Sequence, residues 1–314
     1  EHTYNGFANH DVTLRVTDNA GATDTYTESV WVGPDDPGFA YVDADCDDRW
    51  DPGTDDDLTD DYDSSNVDIH RGACIVIPPS TPLSPDGSGG ARGEVDIHAQ
   101  SVFIGANLTA QTHRIHLSIE EDIRIVPGVT LYAGGDKIDM QAKGGTLTMN
   151  NVTVHSPDHE IKIKADGHNL YAYGATIKAP HSQLTIQDKA EHVDLREATV
   201  EAGDEVSIDG ITSLRADGAS FTSGNSSVIL WTETMFRAEN ATFQADADVD
   251  LGVDAADMQL NNTAMTSTAG NLLAEVSSPY WARIQGASFT DTNNLLDVTP
   301  DGRSTGTPAS GGTE

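Results

Sequence analysis

Positive charge is scarce in this sequence, and the scarcity excludes several classes of partner. Six of the 314 residues are lysine, and lysine and arginine together number 17 against 51 aspartates and glutamates, for a net charge of −34. Nucleic acids and anionic membranes recruit proteins through clustered positive charge. We therefore expect neither a nucleic-acid partner nor a membrane-surface partner.

Long apolar runs are absent too, and cysteine is rare. The sequence has no segment that would span a membrane and no signal peptide, and it begins at Glu1 without Met, so we expect a mature or excised piece of a larger protein. Its two cysteines, Cys46 and Cys74, flank one irregular segment, which favours a disulfide over two free thiols. A disulfide would indicate an oxidising, extracellular compartment.

The acidic excess has two interpretations. One is adaptation to high salt, where screening removes self-repulsion; the other is a calcium-loaded surface protein. The excess runs through every segment and lysine is scarce, which favours the first. In this respect the sequence resembles extracellular, cell-surface proteins of haloarchaea.

A short pattern recurs along the chain from about Ser101 to Val298. It consists of Gly, Asn or Glu, then a small or β-branched residue, usually Thr or Ser, and an apolar residue. Its spacing is nearly constant, and successive copies begin at Gly105, Gly128, Asn151, Gly174, Glu197, Gly218, Asn240, Asn262 and Gly286. A fixed period in the range of roughly 20 to 50 residues indicates a solenoid.

Each period also contains apolar pairs at alternate positions, such as Ile115/Leu117 and Leu147/Met149. That spacing is the period of a β-strand, and the Gly, Asn and Asp residues between pairs are typical of turns. We therefore predict an all-β fold, a right-handed parallel β-helix of about nine coils over residues 94–298. A propeller is a weaker alternative, because its blades need about 40 residues.

Residues 1–33 have alternating strand patterns around a turn. The motif Val16-Thr17-Asp18-Asn19-Ala20-Gly21 resembles the C-terminal half of a PKD domain, an immunoglobulin-like β-sandwich. The resemblance is confined to this segment and lacks the family's first strands. It implies a modular surface protein in which this partial sandwich is a spacer or adhesion module.

We assign residues 34–93 to a linker and an acidic N-terminal cap with a disulfide, and residues 299–314 to a disordered tail or linker. The cap resembles calcium loops of the EF-hand or dockerin kind, although Asp48 replaces the turn glycine and Thr54 the closing acid. The alternative is a solvated acidic loop. The predicted cofactor is Ca²⁺, with ligands Asp43, Asp45, Asp47, Asp51 and Asp55.

Five sequons could carry glycans, although the repeat itself places Thr shortly after a corner residue and so produces sequons for structural reasons. The possible glycosylation sites are Asn107, Asn151, Asn225, Asn240 and Asn261.

No catalytic residue is predicted. The acid pairs Glu120/Glu121 and Asp204/Glu205 are expected by chance in so acidic a chain. Coils of constant length also leave no inserted loop that could form the side of a substrate-binding cleft. The histidines, including His113 and His116, are spaced irregularly relative to the repeat, so we expect surface residues rather than a metal row. Aromatic residues that could stack on sugars but are expected to pack are Trp231, Tyr280 and Trp281.

The sequence thus favours an extracellular structural or adhesion protein, a stiff stalk or filament subunit adapted to high salt. Its expected partners are other cell-surface subunits, copies of itself, or glycans, with homopolymer formation by strand addition. The alternatives are a β-helical polysaccharide lyase or glycoside hydrolase, and a carbohydrate-binding module.

Overall fold

The predicted β-solenoid is confirmed. The computed structural model describes residues 8–17, 23–47, 49–63, 65–87, 93–187, 189–255, 258–276, 282–291 and 296–297. Within these ranges every regular element is a strand, and parallel strands stack into a solenoid of about nine turns. The predicted right-handedness remains a prediction.

Three strand positions recur in each turn, and each position builds one parallel sheet along the solenoid. The first sheet comprises Val67–His70, Val95–Ala99, Ile115–Ile119, Ile138–Ala142, Ile161–Ala165, Leu184–Gln187, Val206–Arg215, Val228–Glu239, Val249–Val253, Leu272–Val276 and Leu296–Asp297. The second comprises Cys74–Ile77, Ser101–Ile104, Ile123–Ile125, Leu147–Thr148, Asn169–Tyr171, His192–Asp194, the ends of Val206–Arg215 and Val228–Glu239, Met258–Asn261 and Ala282–Gln285. The third comprises Leu108–Ala110, Thr130–Ala133, Thr153–His155, Thr176–Ala179, Thr199–Ala202, Ser220–Ser223, Thr242–Ala245, Ala264–Ser267 and Ser288–Asp291.

The apolar pairs form the interior columns of the solenoid. In the first sheet Ile115 pairs with Ile138, and Ile138 pairs with Ile161, each directly above the last. All three side chains have no exposed surface. The intervening residues point outward, as the strand period requires. Burial of these continuous columns stabilises a turn that could not bury its apolar residues alone.

The recurring short pattern marks a corner of each turn. In eight of its nine copies the first residue has a positive φ, between 50° and 88°. Glycine adopts this left-handed conformation without steric cost, and asparagine tolerates it better than most residues. Glu197, with a φ of 57°, is the exception in residue type. The corner amides remain paired: N–H of Gly174 donates to the carbonyl of Arg196 in the next turn at 2.8 Å.

Parallel stacking begins before residue 94, in the segment that the sequence analysis assigned to the cap. Val67–His70 and Cys74–Ile77 pair in parallel with Val95–Ala99 and Ser101–Ile104. The short strand Tyr41–Asp43 pairs antiparallel with Cys74–Ile77 and with Asp56–Asp57. The predicted disulfide is confirmed: Cys46 and Cys74 are bonded, with Cα atoms 5.4 Å apart. A capping role for residues 34–93 remains a prediction.

Near the N-terminus, Ala8–Thr17 and Thr23–Val32 form an antiparallel pair. The predicted turn at Asp18–Gly21 and the tail 299–314 lie outside the described residues. The immunoglobulin-like sandwich remains a prediction. In the part of the chain that the structure describes, no helix has the length and apolar character needed to cross a membrane.

Candidate functional site

An open depression of about 520 Å³ lies at the first turns of the solenoid, lined by His70, His98, Glu120 and Glu121 among others. Both glutamates have partners: Lys143 Nζ donates to Glu120 Oε1 at 2.6 Å, and Gln100 Nε2 donates to Glu121 Oε1 at 3.0 Å. This predicted acid pair is therefore part of a surface ion-pair and hydrogen-bond network.

Beside this depression lies a cluster of histidines around one carboxylate, which we call the His–Asp cluster: His70, Asp96, His98 and His116. Asp96 is buried, and its Oδ1 is 3.0 Å from Nε2 of His98 and 3.0 Å from Nδ1 of His116. Nε2 of His70 is 3.9 Å from the same oxygen. Three imidazoles thus converge on a single oxygen atom.

Strand register explains the convergence. Val67–His70 and Val95–Ala99 pair so that His70 lies beside His98 and Asp68 beside Asp96. On the other side of Val95–Ala99, His116 lies beside Asp96. The rings of His70 and His98 lie tilted against each other with centroids 4.2 Å apart, and those of His98 and His116 meet edge-on at 5.0 Å.

The guanidinium of Arg114 binds the second oxygen of the Asp96 carboxylate. Nη2 of Arg114 donates to Asp96 Oδ2 at 2.9 Å, and Nε of the same guanidinium is 3.3 Å from Glu94 Oε2. Asp96 therefore presents Oδ2 to Arg114 and Oδ1 to the histidines. The guanidinium fixes the carboxylate's orientation.

These contacts shift the proton affinities within the cluster. Burial raises the pKa of Asp96. The hydrogen bond with His116 and the charges of His116, His98 and Arg114 outweigh this effect and lower the pKa to about 2. Burial lowers the pKa of His98, and His70 and His116 lower it too, against the opposing charge of Asp96. The ionised form of Asp96 and the neutral form of His98, which these shifts favour, are the forms in which a carboxylate and an imidazole act as metal ligands.

This cluster was not predicted, because the spacing of the histidines was compared with the period of the middle turns. The first two turns do not keep that period. A usable signal was nevertheless present, since the tetrapeptide Val-Asp-Ile-His occurs twice, at 67–70 and at 95–98. The repeat predicts that equal positions pair in adjacent strands, and they do.

The structure brings together three of the five predicted calcium ligands. Oxygen atoms of Asp43, Asp45 and Asp47 lie within 4.8 Å of one another. Asp55 instead accepts hydrogen bonds from the backbone N–H groups of Ala44 at 3.0 Å and Asp51 at 2.6 Å. Its carboxylate closes the acidic loop, and Asp51 takes part in this closure through its backbone.

Other predicted residues lie on the surface of the solenoid. Asn107, Asn151, Asn225 and Asn240 are exposed or half-exposed, whereas Asn261 is half-buried and Thr263 of its sequon is buried. Trp231 packs across Gly252 of the next turn, where a Cβ would meet the ring at 2.5 Å. This supports packing rather than a sugar-stacking platform at Trp231. Tyr280 and Trp281 lie outside the described residues.

Comparison with known proteins assigns no family: no protein-family model, no curated protein and no solved structure matches the chain. The fold defines the class of the protein, a parallel β-solenoid.

Proposed function

We propose that this protein is a stiff structural or adhesion module of an extracellular surface protein, adapted to high salt. The observation that carries the proposal is the uniform stacking of its middle turns. In the first sheet Ile115, Ile138, Ile161 and Leu184 stack in register at a constant interval. A rod of this kind separates or presents whatever is attached to its ends.

The length of the rod follows from the strand spacing. Adjacent strands lie about 4.8 Å apart, so nine turns extend over roughly 40 Å. Each turn contacts only its neighbours, so turns can be removed singly. Loss of one whole turn should shorten the rod without changing its cross-section.

A deletion of residues 151–173, one complete turn, tests the rod. Small-angle X-ray scattering should show the cross-section unchanged and the length reduced by about 4.8 Å. The matched control deletes residues 151–162, about half a turn, and should unfold the solenoid because apolar columns lose their alignment. A whole-turn deletion that unfolds as readily as the half-turn deletion would contradict the proposal.

The enzymatic alternative is tested by incubating the protein with acidic polysaccharides. A lyase produces an unsaturated product that absorbs ultraviolet light, and a hydrolase releases reducing ends. We expect neither, because the depression at His70 and His98 is open and its glutamates are paired. Turnover that is lost in Glu120→Gln would replace the structural proposal with an enzymatic one.

Adaptation to high salt rests on the net charge of −34. The screening length falls from about 10 Å at 0.1 M salt to about 3 Å at 1 M, which removes repulsion between neighbouring carboxylates. The free energy of unfolding should therefore rise steeply with NaCl. Stability that is independent of salt would remove this part of the proposal.

Calcium binding is proposed for Asp43, Asp45 and Asp47, whose oxygens converge beside the disulfide. Hard cations prefer several carboxylate oxygens. A chelator should lower the melting temperature, and the double variant Asp45→Ala/Asp47→Ala should abolish that response. An unchanged melting temperature with chelator would show that the loop is only solvated.

The Cys46–Cys74 bond supports the extracellular location, since disulfides persist in oxidising compartments. Further partners are proposed to be surface subunits, glycans or copies of this chain, joined by strand addition through the strands of residues 1–33 and the tail 299–314. Sedimentation over a range of protein and salt concentrations tests self-assembly, and a monomer under all conditions would argue against it.

A further inference from the structure

We propose that the His–Asp cluster is a binding site for a divalent transition-metal ion of the Zn²⁺ class, with Nε2 of His70, Nε2 of His98 and Oδ1 of Asp96 as ligands. One ligand atom from each of these residues lies within 4.8 Å of the other two. The site is separate from the acidic loop and independent of the proposed structural function.

The separations suit a tetrahedral ion. Zinc binds imidazole nitrogen and carboxylate oxygen at about 2.0 to 2.2 Å, which places neighbouring ligand atoms roughly 3.3 Å apart. Asp96 Oδ1 is 3.0 Å from Nε2 of His98 and 3.9 Å from Nε2 of His70, on either side of that value. Rotation of the His70 side chain, whose Nε2 also lies 3.0 Å from Asp68 Oδ1, would shorten the longer of these two distances.

The surroundings support a metal site because they orient the buried ligand. Arg114 binds Oδ2 of Asp96, which leaves Oδ1 directed at the histidines. Outer contacts of this kind fix ligand geometry in metal sites. The open depression beside His70 and His98 gives an ion access and supplies water for a fourth ligand position.

The donor set separates this site from the calcium proposal. Imidazole nitrogen favours Zn²⁺, Ni²⁺ and Cu²⁺, whereas Ca²⁺ and Mg²⁺ prefer oxygen ligands. The His–Asp cluster supplies two imidazoles, and the acidic loop supplies carboxylates alone. An excess of Ca²⁺ should therefore leave the histidine site free to bind Zn²⁺.

The ligands come from two successive turns, which gives the ion a structural effect. His70 lies in Val67–His70, the first strand of the first sheet, while Asp96 and His98 lie in the next. A bound ion would connect these strands at the end of the solenoid. Because it binds the folded state, it would stabilise that end in particular.

The experiment is calorimetric titration of the whole, disulfide-bonded chain with Zn²⁺ in excess Ca²⁺. We expect one Zn²⁺ per chain, bound at micromolar concentration or tighter. His70→Gln and His98→Gln should each weaken binding at least about tenfold. His155→Gln is the matched control, since His155 lies on the third sheet against Tyr132, and it should bind like the unmodified chain.

A second measurement reports the place of binding. Hydrogen exchange should show that Zn²⁺ slows exchange in residues 67–70 of the unmodified chain and not in His98→Gln. Circular dichroism without metal confirms that each variant is folded, and the two histidine variants provide independent tests. The double variant Asp45→Ala/Asp47→Ala should leave Zn²⁺ binding unchanged.

Three results would overturn the proposal. They are failure of the unmodified chain to bind Zn²⁺, binding by His70→Gln and His98→Gln that equals that of the unmodified chain, and loss of Zn²⁺ binding in the Asp45→Ala/Asp47→Ala variant. The last would place the ion in the acidic loop.

Discussion

The first turns of the solenoid and its middle turns share one architecture but differ in regularity. From Ile115 to Leu184 the first sheet repeats at a constant interval, whereas the step from Val67 to Val95 is longer and the step from Val95 to Ile115 is shorter. The outward column that begins with His70 and His98 continues as Ser118, Gln141 and Lys164. The chemically distinctive residues lie in the irregular turns.

A second outward column shows the same contrast in electrostatic terms. Asp96 and Asp250 both belong to the column that runs along the first sheet. Asp96 lies among histidines and an arginine, whereas Asp250 lies between Ile229 and Leu273. The pKa of Asp96 is lowered and that of Asp250 is raised. Position in the repeat therefore determines which way a side chain points, and the neighbouring turns determine its chemistry.

The largest effect should come from the interior of a middle turn. Ile163 is fully buried and pairs with Met140 and Ile186 in the turns on both sides. Ile163→Ala should lower the free energy of unfolding by about 3 kcal/mol, because it leaves a cavity between packed turns. Denaturant titration measures the loss.

Ile69→Ala is the matched change in the first turn, where Ile69 pairs with Ile97 in the first sheet. We expect a smaller global effect and faster hydrogen exchange confined to the first turns, since an end turn can open locally. Equal global losses in the two variants would show that the ends and the middle unfold as one unit.

Asp96→Asn should lower the free energy of unfolding by at most about 2 kcal/mol above pH 3.8 with chelator present to exclude metal, because the folded pKa of Asp96 is lowered from 3.8 to about 2. Because the folded pKa is lowered, the stabilisation is present above pH 3.8 and is lost as pH falls through about 2. The charged and titratable groups around the carboxylate are Asp68, His70, Glu94, His98, Arg114 and His116.

Unfolding midpoints of Asp96→Asn and the unmodified chain, compared from pH 7 downward, provide the measurement. The two curves should converge in acid. A constant difference across the whole range would assign the loss to packing instead of charge.

Glu197→Gly should stabilise the protein by about 1 kcal/mol, because glycine removes the cost of a left-handed corner residue. The loss of the exposed hydrogen bond from Tyr173 to Glu197 offsets little of this gain.

Gly218→Ala, at the next corner, should lower the stability by about the same amount. Its Cβ would meet its nearest neighbour at 3.4 Å, so backbone strain alone is tested. Thermal unfolding of both variants should show opposite shifts.

Asp250→Asn should give the smallest effect and one opposite in sign to Asp96→Asn. Burial raises the pKa of Asp250, and the negative charge of Asp248 raises it too. The hydrogen bond from Trp231 lowers this pKa but does not cancel the rise. Since the folded pKa is raised, the carboxylate costs stability above pH 3.8, and the cost disappears in acid. The variant should therefore melt slightly higher at neutral pH and equally in acid. A lower melting temperature at neutral pH would contradict this.

The periodic part of the fold was predictable because it depends on a local pattern. Pairs such as Ile161 and Ile163 repeat at the strand period, and a coil can bury them only by stacking. The disulfide was predictable from two cysteines beside one irregular segment. Only some of the predicted calcium ligands lie together, because the carboxylate of Asp55 accepts hydrogen bonds from backbone N–H groups of its own loop.

The sequence by itself determined the repeating strands, the inward columns and the left-handed corners, since each follows from interactions between residues close in the chain or one period apart. The repeated tetrapeptide indicated that His70 and His98 pair, but only the tertiary structure decided that Asp96 and His116 join them in one cluster. The spacings of these four positions along the chain match no single period, and the register that aligns them depends on how the irregular first turns fold back onto the sheet.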